Sequence, residues 1–582
     1  MRCLPALSLL LLPAAALAAP VDDFRKLEAD YWAWQLKEDP VLATRVGVRD
    51  HDDRLADIGL AAQDRRTADR RAFLARLDAI AAASLSDQDK VSRSVLRRRL
   101  ADAIEANRFA QRMMLFTTYY GWHQGFADLS EDLPFRSRTD YRSYLNRLAQ
   151  YPRLNDEALK ITDLAIKGGY TLPCSVLPGY ERTIAGVIAR DPAQSRFFKP
   201  FLREKPADAD DDAWRAMKAE AARIITDVLN PAYAKHLDFY TSRYVPHCRK
   251  TDGIAATPDG RAYYAFRVRE ETTTDLTPAQ IHRLGLAEVA RIGAEMDAVA
   301  KKAGYATRAA FVADLRANSV HYPKNSQDLL AHAALTAKTI EGRLPEYFGR
   351  LPRLPFGLRE IPPETAEGTV AAYYGRGSPE AGLSGTFYVN TSKLDQRPYW
   401  ELPALTLHES VPGHHLQIAL QQEMDLPDWR RNDDGFTAFI EGWALYAERL
   451  GVPMGLYDSP AKDMGRLSYE MWRACRLVVD TGIHAKGWTK AQAVQFLADN
   501  AALSAGNIDA EVNRYISWPG QALGYKIGEI RIRALRDKAQ LALGPRFDLR
   551  RFHDAVLAGG AVPLDVLEGE IDRWIARERS AP

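Results

Sequence analysis

Cysteine is scarce in this chain: 582 residues hold four. Cys3 stands at the extreme N-terminus, and Cys174, Cys248 and Cys475 are too few and too scattered for a zinc–thiolate framework. Any bound zinc must therefore be held by imidazole and carboxylate groups. An excess of one charge is missing too, with 78 Lys and Arg against 76 Asp and Glu and a net charge of +2. That balance leaves no electrostatic footprint for nucleic acid. Beyond the N-terminus no apolar run is long enough to span a bilayer, so no membrane span is predicted. There is no convincing internal repeat and no low-complexity tract. The standard H-E-x-x-H metal motif is also absent, because its second His position is Pro412.

What is present begins with a leader. Arg2, the apolar run Leu9 to Leu12 and the small residues ending Ala16-Leu17-Ala18 read as a secretory signal over residues 1–18, cut before Ala19. A periplasmic or secreted protein is expected. In that oxidising setting Cys174 and Cys248 are a possible bridge, while Cys475 lies in a helix-like run and reads as a buried thiol.

Helical periodicity dominates, over 21–38, 62–83, 87–112, 139–150, 155–168 and 212–243. Thr277-Pro278-Ala279-Gln280 and Thr489-Lys490-Ala491-Gln492 are capping boxes that open two further helices. Strand alternation is confined to Tyr264, Phe266 and Val268 and to Phe387 and Val389. The expected fold is mainly α and zincin-like: two helical lobes around a deep cleft, with a small β-sheet next to the metal-binding helix. The N-terminal lobe is assigned to 19–250 and the catalytic region to 251–582. The Gly385–Thr391 strand is read either as an ordinary edge hairpin or as a sheet edge where Tyr388 and Asn390 pair with an extended substrate.

The densest chemistry lies in His408-Glu409-Ser410-Val411-Pro412-Gly413-His414-His415, followed by Phe439-Ile440-Glu441-Gly442-Trp443-Ala444. Three imidazoles with a carboxylate beside the first suit a zinc hydrolase. On an unbroken helix, however, a residue six positions on is about 120° off the face, and one seven positions on is displaced by roughly 10.5 Å. Neither His414 nor His415 then shares an ion with His408. Pro412 cannot donate to the carbonyl of His408 and Gly413 takes unusual conformations, so a bulge that returns His414 to the ligand position is expected, the alternative being that Pro-Gly ends the helix and the His pair caps the next one. His415 is the rival ligand. The apolar flanks of Glu441 predict a buried carboxylate, which needs a cation or a metal.

These residues resemble the bacterial family called domain of unknown function 885, whose H-E-x-x-P-G-H-H-L-Q stands here as His408 to Gln417. The similarity extends over most of the chain. Its motifs are Thr391 to Gln417, Glu441 to Ala444, Asp480 to His484 and Trp518 to Ala522. Because that family is grouped with gluzincin-type metallopeptidases, the resemblance implies a largely helical metallopeptidase-like fold. Glu441-Gly442-Trp443-Ala444 is similar to the aminopeptidase element whose Glu is the third zinc ligand. Tyr515 to Gly528 is similar to the C-terminal segment of thimet-type oligopeptidases, where a Tyr stabilises the tetrahedral intermediate. The chain departs from these families by two extra residues between Glu409 and His414.

The roles follow. His408, His414 and Glu441 are the candidate ligands of one Zn2+, and Glu409 is the general base. Glu448, seven residues after Glu441, is placed to orient a ligand imidazole. Tyr525 is the candidate oxyanion donor, with His484 either a second donor or a core histidine paired with Asp480. Arg514 and Lys526 are read as carboxylate-holding cations or as solvated surface charges, Arg514 having the better-matched fork. The Tyr373-Tyr374 pair belongs to a cleft wall or to the core. The expected function is zinc-dependent cleavage of amide bonds in short peptides. The alternatives are an amidase on a non-peptide substrate and a non-catalytic binding protein that retains the fold.

Overall fold

The computed structural model describes residues 15–580, apart from 132, 363–365, 367–369, 380–381 and 434. Most of the signal segment lies outside the described residues. The first described helix, Ala15–Glu38, runs through the expected cleavage point.

The periodic segments are helices, Leu60–Ala79, Asp87–Ala106, Arg138–Ala149 and Tyr151–Gly168, the second ending six residues before its predicted limit. The 212–243 segment forms Asp211–Ile224 and Asn230–Phe239, joined by a π-turn at Ile225–Leu229. Local chemistry sets the ends. Ser86 accepts from the Asp89 amide at one N-terminus, and Gly169, with φ of 79°, closes the Tyr151–Gly168 helix.

The region that carries the candidate site uses helices α1 (Gly260–Thr272) and α2 (Pro278–Lys302), then strands β1 (Phe356–Glu360), β2 (Ala372–Gly375) and β3 (Gly385–Val389). After them come α3 (Leu402–Glu409), α4 (His414–Glu423), α5 (Thr437–Leu450), α6 (Pro460–Lys486), α7 (Ala505–Ser517) and α8 (Leu523–Leu543). Both capping boxes are formed, at Thr277 and Thr489. The protein is thus mainly helical with one small three-stranded sheet.

Two sequence expectations fail here. Tyr264, Phe266 and Val268 lie on α1, not on a strand, and all three are buried. A helix buried on much of its surface masks the 3.6-residue period, and three alternating apolar residues cannot overrule it. Strand β3 is not a sheet edge either. It runs in the middle, parallel to β1 and antiparallel to β2, so both of its backbone edges are already paired.

The sheet packs through Phe387, Val389 and Ala372 against Leu402 at the start of α3 and against Leu329 and Ala333. That contact fixes the entry of the helix carrying His408. The two large hydrophobic clusters each combine residues from before and after position 250: Phe24, Leu27 and Leu96 pack with Trp443 and Ile527, and Tyr141 and Tyr233 join a cluster with Met471 and Val512.

Glycines bring α5 and α8 unusually close. A Cβ at Gly442 would stand 2.5 Å from the Gly528 Cα, and one at Gly528 would stand 1.8 Å from the Ala438 carbonyl. This approach sets Glu441 and Tyr525 on neighbouring turns of packed helices. The Cys174–Cys248 disulfide is formed, and Cys475 is a buried free thiol.

Candidate metal centre

Helix α3 ends immediately after the first candidate ligand. Ser410 spends both its amide and its hydroxyl on the Thr406 carbonyl, at 2.9 and 2.6 Å. A four-residue turn follows, and α4 begins at His414. The expected bulge inside a continuing helix is therefore a complete break. The His415 amide bridges it by donating to the Ser410 carbonyl at 3.0 Å, a span of five residues. Gly413 is required by close approach, since a Cβ there would meet the His408 carbonyl oxygen at 1.9 Å. From the facing helix Trp443 Nε1 donates to the Pro412 carbonyl at 2.8 Å. The turn is thereby tied to α5, two residues from Glu441.

The break restores what the spacing denies. The His408 and His414 rings stand 4.8 Å apart and nearly perpendicular. Their Nε2 atoms each lie 3.4 Å from Glu441 Oε2. One ligand atom from each of the three residues falls within 4.8 Å of the others. Contacts of 3.4 Å to a ring nitrogen are long for hydrogen bonds, and Glu441 Oε2 is buried without a hydrogen-bond partner among the described residues. A buried carboxylate oxygen facing two imidazole nitrogens, all three converging, is a donor set that fits zinc.

Behind the first imidazole, His408 Nδ1 meets Glu448 Oε1 at 2.8 Å, and Arg473 holds the same oxygen at 3.3 Å. The predicted orienting role of Glu448 therefore has its geometry. His414 Nδ1, in contrast, is buried without a hydrogen-bond partner among the described residues. His415, the rival ligand, turns the other way: Nδ1 meets the Tyr374 hydroxyl and Nε2 the Leu354 carbonyl, both at 3.0 Å. With both nitrogens engaged at the sheet it is a packing residue.

The charges are strongly coupled. Burial works to raise the Glu441 carboxyl, but the two imidazoles together hold it well below the usual range. Burial opposes a charge on His408, yet Glu441 and Glu448 carry its imidazole up to about 9. Glu409 differs from both. Its carboxylate makes no hydrogen bond or ion pair among the described residues, and burial pushes it up against the weaker pull of His408 and His414.

Tyr525 lies beside His408, its ring nearly parallel at 6.4 Å. Its hydroxyl accepts from Arg514 Nη2 at 3.1 Å, and Arg476 stacks 4.2 Å over the ring. Arg514 also donates to Gln521 Oε1 at 2.8 Å. The structure therefore brings His408, Glu409, His414, Glu441, Tyr525 and Arg514 into one neighbourhood.

Other predicted residues are not in it. His484 is a core histidine: Nδ1 accepts from the Ile254 amide and Nε2 meets the Tyr515 carbonyl, both at 3.0 Å. Neither nitrogen is left for an oxyanion. Asp480 does not pair with it, accepting instead from the Tyr264 hydroxyl at 2.6 Å and the Gly520 amide at 3.1 Å. Asn390 is fully buried, and its amide donates to the Ala366 and Val370 carbonyls at 2.6 and 2.9 Å, so it is committed to backbone groups. Tyr388 stacks on Tyr373 at 4.7 Å from the middle strand and offers no free backbone edge. Lys526 is neither a surface charge nor a substrate cation. It is buried among Glu288, Glu470 and Glu529 at 2.9–3.0 Å.

The sequence reading missed Arg473 and Arg476. Their signal is visible in retrospect, because both interrupt the buried stretch from Met464 to His484 on α6. Charges at such positions need partners.

The crystal structure of a "putative lipoprotein" from Colwellia psychrerythraea is similar over 95% of this chain and 99% of its own, with 26% identity and a TM-score of 0.87. A second structure, of a lipoprotein likewise described and "of unknown function", comes from Shewanella oneidensis. It covers 94% of this chain and 99% of its own at 19% identity and a TM-score of 0.68, a likeness of fold alone. No curated protein matches the chain. The model of a family of bacterial proteins of unknown function, DUF885, matches residues 40–571, and the chain belongs to that family.

Proposed function

We propose that the protein is an exported zinc-dependent hydrolase that cleaves amide bonds of short peptides. The observation that carries this reading is the convergence of His408, His414 and Glu441 beside a buried carboxylate, Glu409, that makes no hydrogen bond or ion pair among the described residues. His408, His414 and Glu441 would hold the metal. A bound zinc supplies Lewis-acid activation of water and of the scissile carbonyl.

The chain's own groups supply the rest. Glu409 accepts a proton from the attacking water on a carboxylate oxygen and delivers it to the departing amine nitrogen. Its burial suits this exchange, since a raised carboxyl binds the proton more readily than an exposed one. The Tyr525 hydroxyl, accepting from Arg514, keeps its own proton to donate to the oxygen that gains charge. Glu448 holds the His408 ring through Nδ1 and leaves Nε2 facing Glu441. Three protein ligands rather than four, among the described residues, favour a catalytic over a structural site.

Export is supported by the leader pattern at Arg2 to Ala18 and by the Cys174–Cys248 disulfide. The description of the Colwellia relative as a lipoprotein agrees. Among the described residues no helix is long and apolar enough to cross a membrane. The test is turnover of a mixed short-peptide library by the zinc-loaded protein and by Glu409→Gln. The wild type should cleave, and the variant should bind zinc equally but lose about 10²–10⁴-fold in rate. Full turnover by Glu409→Gln would refute the role of Glu409, and no turnover by the wild type would refute the peptidase reading.

A further inference from the structure

The cation next to Tyr525 is in surplus. Arg476 Nη2 donates to Glu511 Oε2 at 2.9 Å, while Arg514 Nη1 stands 3.7 Å from Glu511 Oε1. Two guanidiniums thus share one carboxylate. Their side chains and that of Glu511 are 2%, 11% and 4% exposed, so water does little to disperse the extra charge. Two donors in this group, Arg476 Nη1 and Arg514 Nε, are buried without a hydrogen-bond partner among the described residues. Buried cationic donors left over in this way mark a place where an anion is stabilised.

Arg514 is held without consuming those donors. Its guanidinium carbon lies 5.1 Å from the ring centre of Tyr119, 5.8 Å from that of Trp518 and 5.9 Å from that of Tyr525. Aromatic faces fix the plane of this guanidinium, and although Nη2 donates to Gln521 and Tyr525, Nε has no hydrogen-bond partner among the described residues. Tyr119 comes from a distant part of the chain, the loop closed by the Phe116–Gly121 bridge. That loop is anchored. Thr117 Oγ1 accepts from the Tyr119 and Tyr120 amides at 3.0 Å, and the Thr118 amide donates to Ser517 Oγ at 3.1 Å. Tyr119 and Tyr120 are nevertheless 42% and 48% exposed, packed beside Trp518. The Tyr119 phenol lies within electrostatic reach of Arg514, Tyr525 and Glu409. The loop therefore stands in the same neighbourhood as the proposed base.

We infer that Arg514, backed by the charge of Arg476, anchors the terminal carboxylate of a short peptide, and that Tyr119 is the positioning residue that holds the Arg514 fork in place. The substrates are then peptides with a free C-terminus lying close to the scissile bond. This rests on the peptidase reading above and adds to it which end of the peptide is read.

The test is isothermal titration of the zinc-loaded full chain carrying Glu409→Gln with N-acetyl-trialanine and with its C-terminal amide. The acid should bind at least about tenfold more tightly than the amide, as expected for charge-assisted hydrogen bonds. Adding Arg514→Lys should remove most of that ratio. Adding Tyr119→Ala should reduce it several-fold, and Tyr119→Phe should retain it, because the ring and not the hydroxyl does the positioning. Equal, measurable binding of acid and amide would overturn the anchor and leave the peptidase reading intact. Binding of neither would overturn both.

Discussion

His408 Nδ1 and Glu448 Oε1 stand 2.8 Å apart, both side chains almost completely buried. The pair fixes which nitrogen of His408 faces Glu441, and it does so from a position seven residues beyond Glu441 on the same helix. Replacing Glu448 with Gln keeps the shape and removes the charge. Zinc affinity, measured by competition with a chromogenic chelator, should fall about 10–100-fold. An unchanged affinity would mean that the pair only packs the core.

Gly413 carries a second expectation. No Cβ fits between it and the carbonyls of His408 and Leu407, at 1.9 and 2.4 Å. Gly413→Ala should destabilise the protein by about 1–3 kcal/mol and displace His414. Both effects are measurable, by urea denaturation and by zinc titration of the same sample. A variant with native stability and native zinc affinity would show that the turn is softer than described.

Tyr525→Phe deletes one hydroxyl from a buried ring that Arg476 and the α8 packing hold in place. Zinc content should be unchanged, and kcat should drop about 10²–10³-fold with a smaller change in KM. A loss confined to KM would make the hydroxyl a ground-state binding group instead.

His484 yields a pH prediction. Burial lowers its imidazole from the ordinary 6.5 to about 3, against the smaller upward pull of the Tyr515 carbonyl that Nε2 meets. Between these values the unfolded chain binds a proton that the folded one does not. The stabilisation is therefore complete above pH 6.5 and is lost as the pH falls towards 3. Unfolding free energy plotted from about pH 6 to 4 should be steeper for the wild type than for His484→Gln by about 1.4 kcal/mol per pH unit. Parallel curves would contradict the assignment of His484 to the core.

The Cys174–Cys248 bridge closes a separation of 74 residues within the N-terminal half. Reducing it should lower stability by about 2–4 kcal/mol, read as a shift of the urea midpoint under dithiothreitol. No shift would remove one support for folding in an oxidising compartment.

How much of this was legible in the sequence depends on how local each signal is. Capping boxes are four-residue events, and both appear where Thr277 and Thr489 predict them. The His408–Glu448 relationship was legible because Glu441 and Glu448 sit two turns apart on one helix. Whether His414 or His415 turned inward was not, since it depends on the Ser410–Gly413 turn and on Trp443, thirty-one residues from Pro412. Long-range contacts explain the remaining errors. Lys526 reads as a surface charge until α2 and α6 bring Glu288 and Glu470 to it. Strand β3 reads as an edge until β1 and β2 cover both sides. Tyr119 carries no local signal, because its importance comes from Arg514, nearly four hundred residues later.

The most direct test of the central claim is the metal content of the purified full chain after zinc reconstitution and desalting, measured by mass spectrometry beside Glu441→Ala. The account predicts about one zinc per chain in the wild type and a large loss in the variant. A wild type without zinc, or a variant that retains it fully, would contradict the assignment of His408, His414 and Glu441 as a metal centre.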